Sequence, residues 1–343
     1  MNKKRSLPYL IANFFRLYLP GECGFSPATI ASYRDTFKQL FVFIKARTGK
    51  EPEQLSLLDL NKATILGFLD NLEAEGKSIS TRNQRLAAIK SFFNFVKYEA
   101  PESLDSISAV LQIRMKKTPE AIINFLSVDG VALILSCPDM HTRNGVRDAV
   151  MLTMLYDTAA RVSELTEVRL GDIRLEAPAT IILHGKGRKD RIVPLSDKTA
   201  ALIRAYIQQA KIGGANNMDK YLFCNRSGEK LTRAGVAYIL KKYVEIARKR
   251  NPDLIPEKFS PHCMRHSKAM HLLQAGVAII YIRDFLGHSS IKTTEIYAKS
   301  DEKAKREALE MAYYPSIIPR DDDVVLWNED ENLMRFLTNL CKG

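Results

Sequence analysis

A histidine and an arginine stand three residues apart at His262 and Arg265, inside the stretch SPHCMRHSKAMHLLQAGV. Residues at that spacing share one face of a helix, so an imidazole and a cation could meet one phosphate group together. A guanidinium presents forked donors to two non-bridging phosphate oxygens and stays protonated at any working pH. Arg161 is a second candidate for this phosphate clamp, and the nearby Glu164 and Asp172 are expected to hold a clamp arginine in place. These residue types favour chemistry at a phosphate.

Metal chemistry is the alternative for the same residues. His262 and His266 are four apart, as zinc ligands on a helix can be, but the intervening Cys-Met-Arg lacks the Glu of HExxH. The arginine also disfavours a bound cation. Five scattered cysteines form no CxxC pair, which argues against a zinc ribbon or a disulfide framework, and no GxxxxGK[ST] phosphate loop is present. We therefore expect no metal, no cofactor and a reducing cytoplasm.

The charge balance points to a polyanionic partner. The 343 residues include 51 basic and 39 acidic side chains, a net charge of +12, with a pI of about 9.4. Residues 1–117 carry +7, residues 118–300 carry +9 and the last 43 carry −4. Two basic blocks suggest a nucleic acid gripped from two sides, although a generally basic surface remains the alternative. No apolar run approaches the roughly 18 residues that span a bilayer, and no signal-peptide cleavage site is seen.

The length predicts two domains, and the first reads as a small helical bundle. Apolar periodicity and caps predict helices over 26–47, 61–75 and from Ser80 onward. Three basic residues of the last helix lie off its apolar stripe or in its first turn and could contact phosphates; they are Arg82, Arg85 and Lys90. A solvated polar face is the alternative interpretation.

The sequence RMKKTP at 114–119 is typical of a linker into a second domain. An apolar helical run follows at 146–160, and TIILHGKGRKDRIVPL then has β-branched residues on both sides of a glycine-rich turn, which predicts a hairpin. Helical patterns return at 198–212, 232–250 and 265–275. The basic residues of the turn and of the 232–250 helix are further candidates for DNA contact: Arg188, Lys189, Lys241 and Lys242.

Three stretches together resemble the tyrosine recombinase (phage integrase) family. They are TAARVSELTEVRLGDI, SPHCMRHSKAMHLLQAGV and IRDFLGHSSIKTTEIYAKS, with the Gly-Lys-Gly hairpin between the first two. The resemblance is close over about 150–300 and looser at both ends. It implies a mainly α (α+β) fold with a helical core-binding (SAM-like) DNA-binding domain at 1–116. A mostly helical catalytic domain with a small antiparallel β-sheet would cover 117–312, and an acidic tail with an amphipathic helix would cover 313–343.

The resemblance also implies roles for individual residues. Tyr297, nine residues after His288, would attack the DNA phosphate and form a 3′-phosphotyrosyl link without metal or ATP. Lys186, between two glycines, would be the general acid for the leaving 5′ hydroxyl, against the alternative of a plain basic turn. His262 would move the tyrosine proton, and His288 would hydrogen-bond the phosphate. The implied catalytic set is Arg161, Lys186, His262, Arg265, His288 and Tyr297.

The resemblance suggests a site-specific recombinase or integrase that joins paired sites in double-stranded DNA. A homotetramer is expected in synapsis, with the C-terminal helix docked in trans and docking in cis as the alternative. A mobile-element integrase is preferred, and the alternatives are an Xer-like chromosome dimer resolvase, a catalytically inactive DNA-binding accessory protein and a relaxing topoisomerase. Such a protein would be cytoplasmic and associated with the nucleoid. The sequence departs from the family pattern at Ala159, Met264 and Lys268.

Overall fold

The computed structural model describes residues 6–118, 124–185, 189–288 and 290–300. Its contacts divide the chain into two units, residues 1–121 and 122–343. The predicted boundary at 116/117 lies close to this division. The predicted boundary at 312/313 and the helix of the acidic tail lie outside the described residues.

Capping side chains set where the helices of the first unit begin. Ser26 accepts a hydrogen bond from the Thr29 amide, and Asn61 does the same for the amide of Thr64. Ser78 caps the next helix, which therefore begins slightly before the predicted Ser80. The helices of this unit are α1 (Leu7–Asn13), which continues as a π-helix (Phe14–Glu22), α2 (Pro27–Thr48), α3 (Lys62–Ala74), α4 (Ile79–Glu99) and α5 (Leu104–Leu111).

Aromatic rings form the centre of this unit. Phe14, from the first helical segment, lies edge-on to Phe92 of α4 with ring centroids 5.3 Å apart. Phe37 of α2 contacts Phe92 in the same way at 5.2 Å. The predicted apolar faces of α2, α3 and α4 therefore pack against one another, and the stretch over residues 7–22 adds a face that the sequence did not predict.

The second unit is also mainly helical and contains the predicted hairpin. Its elements are α6 (Val128–Leu135), α7 (Arg143–Asp157), α8 (Val162–Glu167), β1 (Ile173–Arg174), β2 (Thr180–His184), β3 (Asp190–Pro194), α9 (Asp197–Ala210), α10 (Arg233–Arg250), α11 (Pro261–Gln274), α12 (Ile279–Leu286) and α13 (Lys292–Ser300). The strands form one antiparallel sheet in the order β1-β2-β3, with Ile182 opposite Ile192 and His184 opposite Asp190. A mainly α fold with a small antiparallel sheet is confirmed.

Two apolar clusters support the elements of this unit. The larger surrounds α7, which is buried along most of its length and packs against α9 and α11. The smaller joins α11, α12 and α13 to the end of α7, and its members are Ala159, Ala269, Met270, Ile282, Leu286 and Tyr297. In the part of the chain that the structure describes, no helix has the length and apolarity needed to cross a membrane.

Candidate active site

Arg161 lies at the start of α8. Its backbone amide donates to Glu164 Oε2 at 2.8 Å, and its Nη1 donates to Oε1 of the same carboxylate at 2.6 Å. The side chain of Arg161 is 33% exposed, whereas that of Glu164 is buried. Glu164 thus holds Arg161 in place, while part of the Arg161 side chain stays accessible to a ligand.

Glu164 is shared by a second arginine, Arg191 of β3. The Nη1 and Nη2 atoms of Arg191 lie 2.9 and 2.8 Å from the two carboxylate oxygens, and its Nε donates to the carbonyl of Phe285 at 3.0 Å. Burial alone would raise the pKa of Glu164, but the hydrogen bonds and charge of Arg191 and the bonds from Arg161 hold it below its ordinary value. The carboxylate is therefore ionised at neutral pH.

Asp172 has a different role from the one expected. It accepts from the backbone amide of Arg169 at 2.7 Å and lies 3.1 Å from Nε2 of His184. The prediction that it pairs with a clamp arginine is wrong, because the 3-10 turn at Leu170–Asp172 directs it towards the hairpin. Glu164 alone fills that role among the two.

Arg265 is buried on α11, with only 2% of its surface exposed. Its Nη1 donates to the carbonyl of Ala159 at 2.7 Å, and its Nη2 donates to the carbonyl of Leu286. Burial, then the charges of Arg161 and Arg191, lower the pKa of Arg265 to about 10, so the guanidinium remains charged at neutral pH.

Ala159 has a left-handed backbone with φ of 47°, a conformation that glycine adopts more easily. This is one of the positions where the sequence departs from the family pattern. The unusual turn connects the end of α7 to Arg161 and directs the Ala159 carbonyl at Arg265. Backbone strain at this point therefore accompanies the placement of both candidate clamp arginines.

Tyr297 lies on α13 with its ring in the small apolar cluster, and 1% of its surface is exposed. Its hydroxyl is 2.9 Å from Nδ1 of His266 on α11. Burial raises the pKa of Tyr297, and the charges of Arg265 and Arg161 oppose that rise. The hydroxyl is thus a neutral phenol held beside an imidazole.

His266 is a further residue of the site, and the sequence did not predict its contact with Tyr297. Burial, followed by the charges of His262 and Arg265, lowers its pKa to about 4, so the ring is neutral at pH 7. The Nδ1 atom of a neutral imidazole can accept a hydrogen bond from the tyrosine hydroxyl. The signal in the sequence is the four-residue spacing from His262, which places both rings on one face of α11.

His262 and His288 are the other two predicted histidines. The His262 ring lies 5.6 Å from the His266 ring, and burial together with Arg265 and Arg161 lowers its pKa. His288 has Nδ1 2.9 Å from the Thr294 hydroxyl, and burial followed by arginine charges lowers its pKa to about 4. The histidine in contact with the Tyr297 hydroxyl is therefore His266, while His262 lies one turn away on the same helix.

Lys186 and Arg188 lie outside the described residues. Their hairpin is fixed at its base by His184, which contacts Asp190 at 2.9 Å and Asp172 at 3.1 Å. These two carboxylates raise the pKa of His184. Lys189, on the described side of the turn, is exposed.

The basic residues of α4 differ in how open they are. Arg82 is buried, with Nε 2.7 Å from Glu73, and this placement argues against the predicted phosphate contact. Arg85 is paired with Asp35 and also donates to the Ser32 carbonyl at 3.1 Å. Lys90 is partly exposed. Of the three candidates, Lys90 is the one whose position suits a phosphate best.

Lys241 and Lys242 are both exposed on α10. The ammonium group of Lys241 is 3.8 Å from Glu245, and that of Lys242 lies 4.7 Å from the centre of the Tyr243 ring. Both remain open to solvent, so their predicted contact with DNA is sterically allowed.

Lys268, the third departure from the family pattern, has a partner inside the fold. Its ammonium group is 3.0 Å from Asp157 at the end of α7 and 5.1 Å from the centre of the Tyr156 ring. Both members of the ion pair are largely shielded from solvent. The extra charge therefore links α11 to α7.

Over the described ranges, no group of three or more His, Cys, Asp or Glu side chains has an arrangement that could hold a metal ion. His266, the second histidine of the zinc-like spacing, is engaged with Tyr297.

Comparisons with known proteins identify the family. Residues 124–304 match the model of the phage integrase family, and residues 12–100 match that of the phage integrase N-terminal SAM-like domain. A Sinorhizobium fredii protein named as an inferred integrase/recombinase, y4rC, is 36% identical over 99% of this chain and 100% of its own length. The tyrosine recombinase XerD of Oceanobacillus iheyensis is 33% identical over 90% of this chain and 99% of its own.

Solved structures share the fold. A XerH site-specific recombinase bound to difH substrate aligns with a TM-score of 0.63 and 25% identity over 82% of this chain and 79% of that one. The Tn1549 transposon integrase in complex with transposon right end DNA aligns with a TM-score of 0.65 and 16% identity over 88% and 99%. The fold is that of a DNA recombinase. The chain belongs to the phage integrase family of tyrosine recombinases, and it is a site-specific recombinase.

Proposed function

We propose that the chain cuts and rejoins duplex DNA through a 3′-phosphotyrosyl intermediate on Tyr297. The observation that carries the proposal is the position of the Tyr297 hydroxyl. It lies 2.9 Å from a neutral imidazole and within the electrostatic influence of Arg265 and Arg161. A phenol must lose its proton as it attacks, and cations around the phosphate favour the phenolate that forms.

The proposed reaction replaces one phosphodiester bond with another of similar energy. The Tyr297 oxygen forms a bond to phosphorus, the bond from phosphorus to the 5′ oxygen breaks, and the leaving 5′ oxygen takes a proton. Lys186 is the proposed donor of that proton. A second 5′ hydroxyl then reverses the attack, which restores a phosphodiester and frees the tyrosine, so strand exchange needs neither ATP nor metal.

The arginines are proposed to hold the negative charge of the transition state. Arg161, Arg191 and Arg265 supply three positive charges, and Glu164 supplies one negative charge within hydrogen-bonding distance of two of them. The excess of two positive charges suits a phosphate whose oxygens gain charge during attack. Arg161 is the most exposed of the three and is proposed to contact the phosphate directly. His288 is proposed to add a hydrogen bond to the same phosphate.

The proposed partners are paired recombination sites and three further copies of this chain. The acidic C-terminal tail is proposed to dock in trans and so to assemble a tetramer at synapsis. The N-terminal unit, residues 1–116 in the predicted division, is proposed to bind DNA alongside the catalytic unit, with Lys90 among its phosphate contacts. Integration, excision or resolution of a mobile element is the preferred role, supported by the integrase/recombinase name of the relative that matches 99% of the chain.

Resolution of chromosome dimers is the second candidate. It is favoured by the 33% identity to XerD over 90% of the chain. The two roles differ in their DNA sites. Sequencing the DNA that becomes covalently attached to the protein in cells distinguishes element ends from a chromosomal site.

A nicked suicide substrate tests the chemistry. Selection from random duplexes supplies the binding site, and a nick near the cleavage position lets the short 5′ fragment diffuse away, so the covalent adduct accumulates. The wild type and Tyr281→Phe, which changes an exposed tyrosine on the neighbouring helix α12, are expected to form the adduct. Tyr297→Phe is expected to form none. An equal yield from Tyr297→Phe would refute the assignment.

A further inference from the structure

The Tyr297 hydroxyl has a specific partner, which is His266 and not His262. Nδ1 of His266 lies 2.9 Å from the tyrosine oxygen, and the two rings are 5.6 Å apart at an angle of 57°. The tyrosine is on α13 and the histidine on α11, and these helices pack against each other. This contact therefore belongs to the tertiary fold of the site.

The surroundings of His266 keep it neutral before DNA arrives. The ring is largely buried, and two residues of its own helix α11, Arg265 and His262, further disfavour a positive charge on it. Tyr297, which faces it from α13, is uncharged. A neutral imidazole with a free lone pair at Nδ1 is ready to accept a proton.

The scissile phosphate changes that balance. The charge of Arg265 disfavours a positive charge on His266, and a phosphate placed against this arginine brings a compensating negative charge. An opposite charge nearby favours the charged form of a base, so phosphate binding makes proton uptake by the imidazole easier. The imidazole of His266 is thus a weak base in the free protein and becomes a stronger base when DNA is bound.

We propose that His266 is the proton acceptor for Tyr297 in strand cleavage; this inference rests on the proposed function of Tyr297. The proton moves from the tyrosine oxygen to Nδ1 of His266 as the bond from that oxygen to phosphorus forms. The bond to the 5′ oxygen breaks at the same phosphorus, and the leaving oxygen takes its proton from the proposed general acid. Rejoining runs in reverse, and the imidazolium returns its proton to the tyrosine oxygen.

The same helix contains a matched control. Nδ1 of His271 accepts a hydrogen bond from the Tyr156 hydroxyl at 2.8 Å, while its Nε2 donates to the Leu126 carbonyl at 2.9 Å. This pair repeats the tyrosine–histidine contact of His266 with a tyrosine that has no proposed part in the reaction. Substitution of His271 therefore measures the structural cost of losing such a contact.

The test is single-turnover cleavage of the nicked duplex by His266→Ala, His266→Asn and His271→Asn. Asparagine offers an amide oxygen close to the position of Nδ1, so it can keep the hydrogen bond but cannot take the proton. General-base catalysis contributes about 100-fold or more, and we expect both His266 variants to slow cleavage by about that factor. His271→Asn is expected to cleave at close to the wild-type rate. Added imidazole is expected to raise the cleavage rate of His266→Ala by at least about tenfold.

Three results would overturn the proposal. They are cleavage by His266→Asn at close to the wild-type rate, cleavage by His266→Ala within about threefold of the wild type, and no rescue by imidazole in a folded His266→Ala. If thermal melting shows that the alanine variant does not fold, the asparagine variant decides alone. Adduct formation by Tyr297→Phe is a separate outcome, which refutes the proposed function of Tyr297 and not merely the role of His266.

Discussion

The site contains three guanidinium groups and one carboxylate, and the position of that carboxylate determines how the arginines can act. Glu164 holds Arg161 and Arg191 through four hydrogen bonds, three from side-chain nitrogens and one from the Arg161 backbone. Arg265 is held instead by two backbone carbonyls. Because its partners are neutral, the charge of Arg265 is not cancelled. The carboxylate of Glu164, by contrast, neutralises one of the two charges that Arg161 and Arg191 supply.

Glu164→Gln should destabilise the fold and slow cleavage. Removing one partner of a buried ion pair leaves uncompensated charge, and such losses are about 3 kcal/mol or more. The free energy of unfolding in urea measures the first effect, and adduct formation with the nicked duplex measures the second. Wild-type stability together with wild-type cleavage would contradict the role assigned to this carboxylate.

The Glu164 contribution should also depend on pH. The pKa of this carboxyl is lowered in the folded protein, so its stabilising effect is fully present above the ordinary value of 4.5 and is lost as the pH falls through the folded pKa. We expect the difference in unfolding free energy between wild type and Glu164→Gln to be constant near neutrality and to shrink below about pH 4.5. A difference that grows on acidification would contradict this account.

Lys268 should stabilise the fold without contacting DNA. Its partner Asp157 is largely buried; burial raises the pKa of that carboxyl, but the charge and hydrogen bond of Lys268 lower it below the ordinary value. A double-mutant cycle with Lys268→Met and Asp157→Asn should give a coupling of about 1 kcal/mol in the free energy of unfolding. Lys268→Met should leave the salt dependence of DNA binding unchanged, and a shallower slope would assign the lysine to a phosphate instead.

At the scale of elements, helices with clear signals could be predicted from sequence. The region 26–47 has a serine cap, a first-turn proline and a regular apolar stripe, and α2 covers Pro27–Thr48. The β-branched runs and glycine turn over 180–194 predict the hairpin that β2 and β3 form. By contrast, Pro8, Asn13 and Arg16 interrupt the pattern over 7–22, where the chain is helical in α and then π form.

The site was predictable by residue type but not by contact. Arg161, Arg265 and Tyr297 could be singled out because they lie in short motifs that resemble those of the family in order and spacing. The hydrogen bond between Tyr297 and His266 joins residues that are 31 positions apart in the sequence. It depends on how α11 packs against α13, and this packing cannot be inferred from the apolar periodicity of either helix. The contact between Arg191 and Glu164 likewise depends on tertiary structure, because the register of the hairpin places Arg191 beside this carboxylate.

Helix α4 offers a matched pair of basic residues for testing DNA contact. Lys90→Ala should lower DNA affinity and reduce the slope of log affinity against log salt by about 1, as expected for one lost phosphate contact. Arg82→Ala should instead lower the free energy of unfolding and leave that slope unchanged, because Arg82 is buried against Glu73. A reduced slope for Arg82→Ala would show that the helix meets DNA through its buried arginine.

At the scale of the whole molecule, charge is unevenly distributed along the chain. The net charge of +12 combines two positive stretches, of +7 and +9, with a C-terminal stretch of −4. Few of the 51 basic residues can take part in chemistry, and exposed ones such as Lys241 and Lys242 are available to neutralise DNA phosphates. Affinity for duplex DNA should therefore fall steeply with added salt.

The acidic C-terminal stretch should act in assembly. Deleting residues 328–343 is expected to abolish cooperative binding to paired sites and recombination, while a single site is still bound. Gel-shift titrations and a plasmid recombination assay measure these steps. Unchanged cooperativity and recombination would contradict docking of the tail in trans.

Peptide mass spectrometry tests most directly whether Tyr297 becomes covalently attached to DNA. The trapped adduct is digested with nuclease and protease, and the peptide that carries a nucleotide 3′-phosphate is sequenced by fragmentation. We expect the modification on Tyr297 and on none of the other 12 tyrosines in the chain. A nucleotide on another residue, or cleavage of the suicide substrate with no peptide attached, would contradict it.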